Sequence, residues 1–180
     1  TDELYFTGQR LEQLHSPSFE AAPYYEEILR RDPGDYRANT ALGILLCKQW
    51  RWEAAAKHLS NAISRATANH IRPKDGEAFY YLGVALRAQG KLDAAYETFE
   101  KAVWSPAGQA AGGCELAEIA LQRRDYAQAL VSIDLALAVA GRNPKARSLQ
   151  ATVLRKLGRA EDAEQMAAAA LAIDPLNVRA

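Results

Sequence analysis

The feature that most constrains this chain is a small residue that returns at a nearly fixed interval. Five short stretches share one pattern: Ser18-Phe19-Glu20-Ala21, Trp52-Glu53-Ala54-Ala55, Leu92-Asp93-Ala94-Ala95, Tyr126-Ala127-Gln128-Ala129 and Ala160-Glu161-Asp162-Ala163. Each opens on a small, aromatic or apolar residue and carries Ala three positions later. Ala21 and Ala55, Ala95 and Ala129, and Ala129 and Ala163 all stand 34 positions apart. Self-similarity at such a period marks an array of stacked units, because one short unit cannot bury its apolar face alone.

The unit is a helical hairpin. Leu42-Gly43 and Leu82-Gly83 each begin the same run: two residues, then Leu46 or Leu86, then a turn, then Trp52 or Leu92 and Ala55 or Ala95. Leu59 or Phe99 follows, then Ala62 or Ala102. Leu42 with Leu46, and Leu82 with Leu86, repeat at i, i+4 and share one helix face. Gly43, Gly83, Ala55 and Ala95 are small where two helices must approach closely. A larger residue there predicts overpacking, at about 1–3 kcal/mol.

These residues resemble the tetratricopeptide repeat family. Its pattern places Trp-x-x-Leu-Gly-x-x-Tyr in a first helix (A), then Ala, an aromatic, Ala and Pro in a second (B). The resemblance implies an all-α fold, a right-handed α-solenoid of about five helical hairpins. The corresponding units are 1–34, 36–74, 76–108, 110–142 and 144–176, forming a single array over 1–180. Unit one carries Gly8, Leu11, Ala21, Tyr25 and Pro33, with an extra residue at Ser16-Pro17. Unit four carries Leu116, Ala117, Tyr126, Ala129, Ile133 and Ala136, but ends on Gly141 rather than Pro. Unit five has Gln150 where Leu is usual and Ala167 where an aromatic is usual, which predicts thinner packing.

Local chemistry marks the helix ends. Asn143-Pro144 and Ser16-Pro17 read as N-caps followed by Pro in the first turn. Asp125 with Gln128 resembles a capping box. Gly90 and Gly158 fall at A-to-B turns, where a left-handed backbone suits Gly. Gly43 to Gly83 spans 40 positions against 35 for Gly8 to Gly43. The excess falls around Thr67 to Asp75 and predicts a lengthened B helix followed by a loop. Gly112-Gly113 reads as a pair of small surface positions opening a helix.

Lys+Arg and Asp+Glu are 22 each, so the formal charge is zero. Nucleic-acid binders carry a basic excess to neutralise phosphates, and none is present here. No apolar run reaches the roughly 18 residues that cross a bilayer, so no membrane partner is expected. The chain starts on Thr1 and stops soon after Asp174-Pro175, which reads as a fragment of a longer protein. Its end repeats then expose apolar surface that favours self-association. Cys47 and Cys114 fall in helical patterns as small buried thiols, in keeping with a reducing, cytoplasmic setting. His15, His58 and His70 stand apart from one another and from ligand spacing, so no metal is expected. No phosphate loop, nucleophile elbow or dinucleotide fingerprint occurs, so neither a cofactor nor a catalytic residue is expected.

In this family ligands lie along the A helices. Register then assigns the groove to Arg37, Thr40 and Ile44 in unit two and to Glu77, Tyr80, Val84 and Arg87 in unit three. Glu118 follows in unit four, and Lys145 and Arg155 in unit five. Of the adjacent pair Tyr80 and Tyr81, one packs and the other meets the groove, which the register centres on Tyr80. The carboxylate-gripping Lys and Asn pattern of chaperone-tail receptors is replaced by Thr40, Ile44, Tyr80 and Val84. Lys145, Arg147, Arg155, Lys156 and Arg159 read either as a solvated face paired with Glu115, Glu118, Glu161 and Asp162 or as a patch for an acidic partner. The function implied is non-enzymatic binding or scaffolding of a protein or peptide. An alternative comes from the runs Tyr5-Phe6 through Arg31-Asp32-Pro33-Gly34-Asp35 and Asp75 to Gly83. These resemble helical arrays of large bacterial proteins that also carry a β-rich domain related to sugar-mutarotase folds. This chain would then be a structural companion docked in cis on that carbohydrate-active or carbohydrate-binding domain of the same parent protein.

Overall fold

The computed structural model describes residues 1–14, 20–69 and 75–177. Among these residues the secondary structure is ten α-helices, with no strand. They are α1 (Asp2–Gln13), α2 (Ala22–Arg31), α3 (Tyr36–Lys48), α4 (Trp52–Thr67), α5 (Glu77–Ala88), α6 (Leu92–Ala102), α7 (Pro106–Gln122), α8 (Tyr126–Val139), α9 (Pro144–Lys156) and α10 (Ala160–Ile173). The chain divides into two compact units, Thr1–Ala95 and Tyr96–Ala180. The Ser16-Pro17 signal and most of the 67–75 excess lie outside the described residues. The part that is described extends α4, which runs 16 residues against 10 for α2.

In the first unit α3 packs on α4 through Leu42, Leu46, Ala55, Leu59 and Ala62, all buried. The contact needs a missing side chain: a Cβ on Gly43 would lie 2.6 Å from Leu59 Cγ. Gly8 repeats this under α1, where a Cβ would lie 2.7 Å from Tyr25 Cε1. Asn39, buried on α3, donates from Nδ2 to the carbonyls of Pro33 (2.9 Å) and Asp35 (3.0 Å). Its Oδ1 lies 3.0 Å from His58 Nδ1 on α4. That oxygen can only accept, so His58 carries its proton on Nδ1. One amide thus ties the α2–α3 turn to α4.

In the second unit Ala117 and Ala120 of α7 meet Ala129 and Ile133 of α8. Gly112 and Gly113 are buried in the middle of α7, which corrects the surface placement expected for them. A Cβ on Gly113 would stand 2.7 Å from the Ser132 carbonyl oxygen, and one on Gly112 2.7 Å from Val103 Cγ1. Composition alone could not separate the two cases, because glycine serves both an open turn and a crowded crossing. α7 also opens at Pro106, ahead of the Ala110 that the register suggests, because Ser105-Pro106 sets Pro in its first turn.

The caps follow the local signals. Asn143 accepts from the Ala146 N–H (3.1 Å) and Asp125 from the Gln128 N–H (3.0 Å). Four A-to-B turns are built alike. Gly90 and Gly158 have φ of 76°, while Trp50 and Arg124 take the same left-handed place at 63° and 60°. After each, an N–H reaches back to the carbonyl of the residue five before it: Arg51 to Leu46, Lys91 to Leu86, Asp125 to Ala120 and Arg159 to Leu154, at 2.9–3.0 Å. This is the Schellman closure, which satisfies helix-end carbonyls left without intrahelical partners.

Candidate functional site

An open cavity of about 420 Å³ lies within the first unit, lined by side chains of α1, α3 and α5. From α1 come Tyr5, Gln9, Glu12 and Gln13, a single face by their i, i+4, i+7 spacing. From α3 come Tyr36, Arg37, Thr40, Ala41, Ile44 and Lys48. Glu77 and Tyr81, one turn apart on α5, and Asp75 just before it close the third side, and Tyr25 of α2 completes the lining.

Hydrogen bonds hold this wall in place. The Tyr25 hydroxyl donates to Glu12 Oε1 (2.8 Å) and the Tyr36 hydroxyl to Asp75 Oδ1 (2.5 Å). Burial, then the bonded carboxylate, raises the pKa of each phenol, so both stay protonated donors. Thr40 is buried and donates to the Tyr36 carbonyl. The cations are already matched. Arg37 lies 2.6 Å from Asp2 Oδ1, with its guanidinium carbon 4.9 Å from the Tyr5 ring centroid. Lys48 Nζ lies 3.1 Å from Glu12 Oε2. Glu77 has no cation partner among the described residues. Burial, then the charges of Asp75 and Glu12, push its carboxyl above the usual range.

The residues assigned by register divide. Arg37, Thr40, Ile44 and Glu77 come together in this cavity. Tyr80, on which the register centres the groove, is not among its lining; Tyr81 is. The two rings meet edge to face, 5.3 Å between centroids. Val84 and Arg87 continue along α5, half-buried. In the second unit Lys145 Nζ lies 2.9 Å from Glu115 Oε1 and 3.0 Å from Glu118 Oε1. Arg159 pairs with Asp162 at 2.7 Å. For these residues the basic cluster is a paired face, and Arg155 is exposed near the end of α9. Tyr5, Glu12, Tyr36 and Asp75 were not singled out from sequence. The i, i+7 spacing of Tyr5 and Glu12 was the available signal, but nothing local brings them to Asp75.

Both cysteines are buried, and burial pushes each thiol up to about 11. Neither is a thiolate near neutral pH. No group of His, Cys, Asp and Glu among the described residues is arranged to hold a metal ion. No helix among them is long and apolar enough to cross a membrane.

Comparison with known proteins agrees with this architecture. A tetratricopeptide repeat family model matches residues 20–64, 48–112 and 114–178. Human Tetratricopeptide repeat protein 7A is 33% identical over 96 residues, which is 53% of this chain and 10% of that protein. The chain thus spans about a tenth of the length of this curated relative. Among solved structures, Pseudomonas aeruginosa pilF superposes with a TM-score of 0.81 at 22% identity, covering 99% of this chain and 78% of that one. A crystal structure of MamA gives 0.78 at 16% identity, over 96% and 97%. YrrB, described as a TPR protein with an unusual peptide-binding site, gives 0.75 at 15% identity, over 98% and 87%. At these identities the likeness is one of fold, that of the tetratricopeptide repeat solenoids.

Proposed function

The chain belongs to the tetratricopeptide repeat family, and we propose that it is a non-catalytic module that binds a protein or peptide segment along its A helices. The observation that carries this reading is the α1–α3–α5 cavity. It is open, and side chains fixed by hydrogen bonds and ion pairs wall it. Aromatic side chains offer an apolar face and a polar tip, the combination that anchors peptide segments. YrrB, which shares the fold, is described as having a peptide-binding site. The ligand path proposed here runs past Arg37, Thr40, Ile44 and Glu77 and continues over Tyr80, Val84 and Arg87 on α5. Within the second unit, taken by itself, Glu118, Lys145 and Arg155 are the proposed contact residues.

The test is selection of peptides from a random library on the isolated chain, followed by affinity measurement on two variants. Tyr81→Ala removes a cavity wall; Val131→Ala changes an exposed position on α8. Loss of affinity in the first alone supports the reading. Equal effects, or no enriched sequence, count against it and favour the companion role, docked in cis on a carbohydrate-active or carbohydrate-binding domain.

A further inference from the structure

Among the described residues the cavity lining holds the carboxylates of Glu12, Asp75 and Glu77 against the cations Arg37 and Lys48, both already paired, and this gives its ligand a charge. Arg37 is matched by Asp2 at 2.6 Å and by Asp35 at 3.9 Å, and Lys48 by Glu12 at 3.1 Å. Asp75 and Glu77 remain without a cation among the described residues. Asp75 accepts hydrogen bonds from the Tyr36 hydroxyl and the Glu77 N–H, which fix it but leave its charge in place. Glu77 lines the cavity together with Tyr5, Tyr36 and Tyr81, and its charge raises the pKa of all three phenols. A carboxylate set beside aromatic rings is the arrangement that attracts an ammonium or guanidinium group, through ion pairing and the negative ring faces together. An acidic side chain would have to displace Asp2 or Glu12 from their cations and would meet Asp75 and Glu77 unshielded.

We infer that this cavity is a subsite for a basic side chain, Lys or Arg, of the bound segment, with Glu77 as its counter-charge and Tyr81 as its aromatic wall. This rests on the binding role proposed above. Glu77 supplies the charge, Asp75 adds to it from the start of α5, and the apolar stem of the side chain runs along Ile44 and Tyr81. The elevated Glu77 carboxyl fits the same picture: an unmatched, partly desolvated anion gains a partner when the ligand arrives.

The experiment uses four short acetylated, amidated peptides of one neutral Ser/Ala/Leu sequence, with Lys, Arg, Gln or Glu at the centre. Calorimetry reads affinity, and amide chemical shifts of α1, α3 and α5 read location. The Lys and Arg peptides should bind about tenfold more tightly than the Gln peptide, and the Glu peptide most weakly. Glu77→Gln should bring the Lys peptide down to the Gln level while circular dichroism stays unchanged. Asp75→Asn should lower the same preference if the first variant folds poorly. Lowering the pH until Glu77 protonates should also erase it. Equal binding of all four peptides with shifts in the cavity would overturn the basic subsite and leave the binding role standing. Tighter binding of the Glu peptide would do the same. Binding with no shift at these helices, or no binding, would overturn both.

Discussion

Gly43 on α3 faces Leu59 on α4 so closely that a Cβ at position 43 would sit 2.6 Å from Leu59 Cγ and 2.8 Å from its Cδ2. Leu59 is fully buried among Leu42, Leu46, Ala55 and Ala62, so it has little room to retreat. Gly43→Ala should destabilise the chain by about 1–3 kcal/mol through overpacking. Urea unfolding monitored at the helical circular dichroism band measures it. An unchanged midpoint would mean that α3 and α4 separate more easily than this contact implies. Gly83 and Ala95, the same small positions one repeat on, are also buried, and Gly83→Leu should act in the same direction.

Trp50 takes a left-handed backbone, φ 63°, at a turn where two equivalent positions hold Gly90 and Gly158. A Cβ costs about 1–2 kcal/mol in that region. The indole recovers little, since it is 78% exposed, with its ring edge to face on that of Trp52 at 5.7 Å between centroids. Trp50→Gly should therefore raise the melting temperature, by about 1 kcal/mol of stability once the greater freedom of unfolded Gly is deducted. Gly90→Ala should lower it by a similar amount. Opposite signs for these two changes are the check.

Asn39 binds two carbonyls and His58 while almost wholly buried. Asn39→Ala takes this partner from the Pro33 carbonyl and from His58 Nδ1–H, while the Asp35 carbonyl keeps the backbone N–H of residue 39, and should cost about 1–3 kcal/mol. A pH effect accompanies it. Burial, then Lys57, lowers the His58 pKa below its free value of 6.5. Below that value the unfolded chain takes up a proton that the folded chain resists, so stability rises with pH through the window just under 6.5 and is fully present above it. His58→Gln should flatten that slope between about pH 5 and about pH 7. A slope that survives the substitution assigns it to another group.

Lys145 stands between Glu115 and Glu118, with Glu115 nearly buried. Burial works to depress its ammonium, but the two carboxylates outweigh this and hold its pKa above the free value. Lys145→Met removes the cation and leaves two carboxylates close together. The loss should be about 1–2 kcal/mol, below a fully buried pair because the lysine side chain is 39% exposed. Adding Glu115→Gln to it should recover part of the loss. Thermal unfolding of the single and double variants provides the comparison.

Local rules reached far along this chain. The hairpin spacing, the Asn143 and Asp125 caps, the left-handed Gly90 and Gly158 and the small Gly43 depend on residues within one or two helical turns, or on an interval that repeats. Such signals are written into consecutive residues, so the amino-acid order alone determined the all-α fold and the ten helices seen among the described residues. The site was decided elsewhere. Tyr36 reaches Asp75 across 39 positions, Arg37 reaches Asp2 across 35, and Lys48 reaches Glu12 across 36. No local spacing encodes these partners; they meet because α1, α3 and α5 lie side by side. The same packing chose Tyr81 over Tyr80 as the cavity wall and buried Gly112 and Gly113 beneath α8 and Val103. Adjacent residues on a helix differ by about 100° in direction, so which one faces a neighbour is set by the angle at which helices dock. That angle exists only in the tertiary structure.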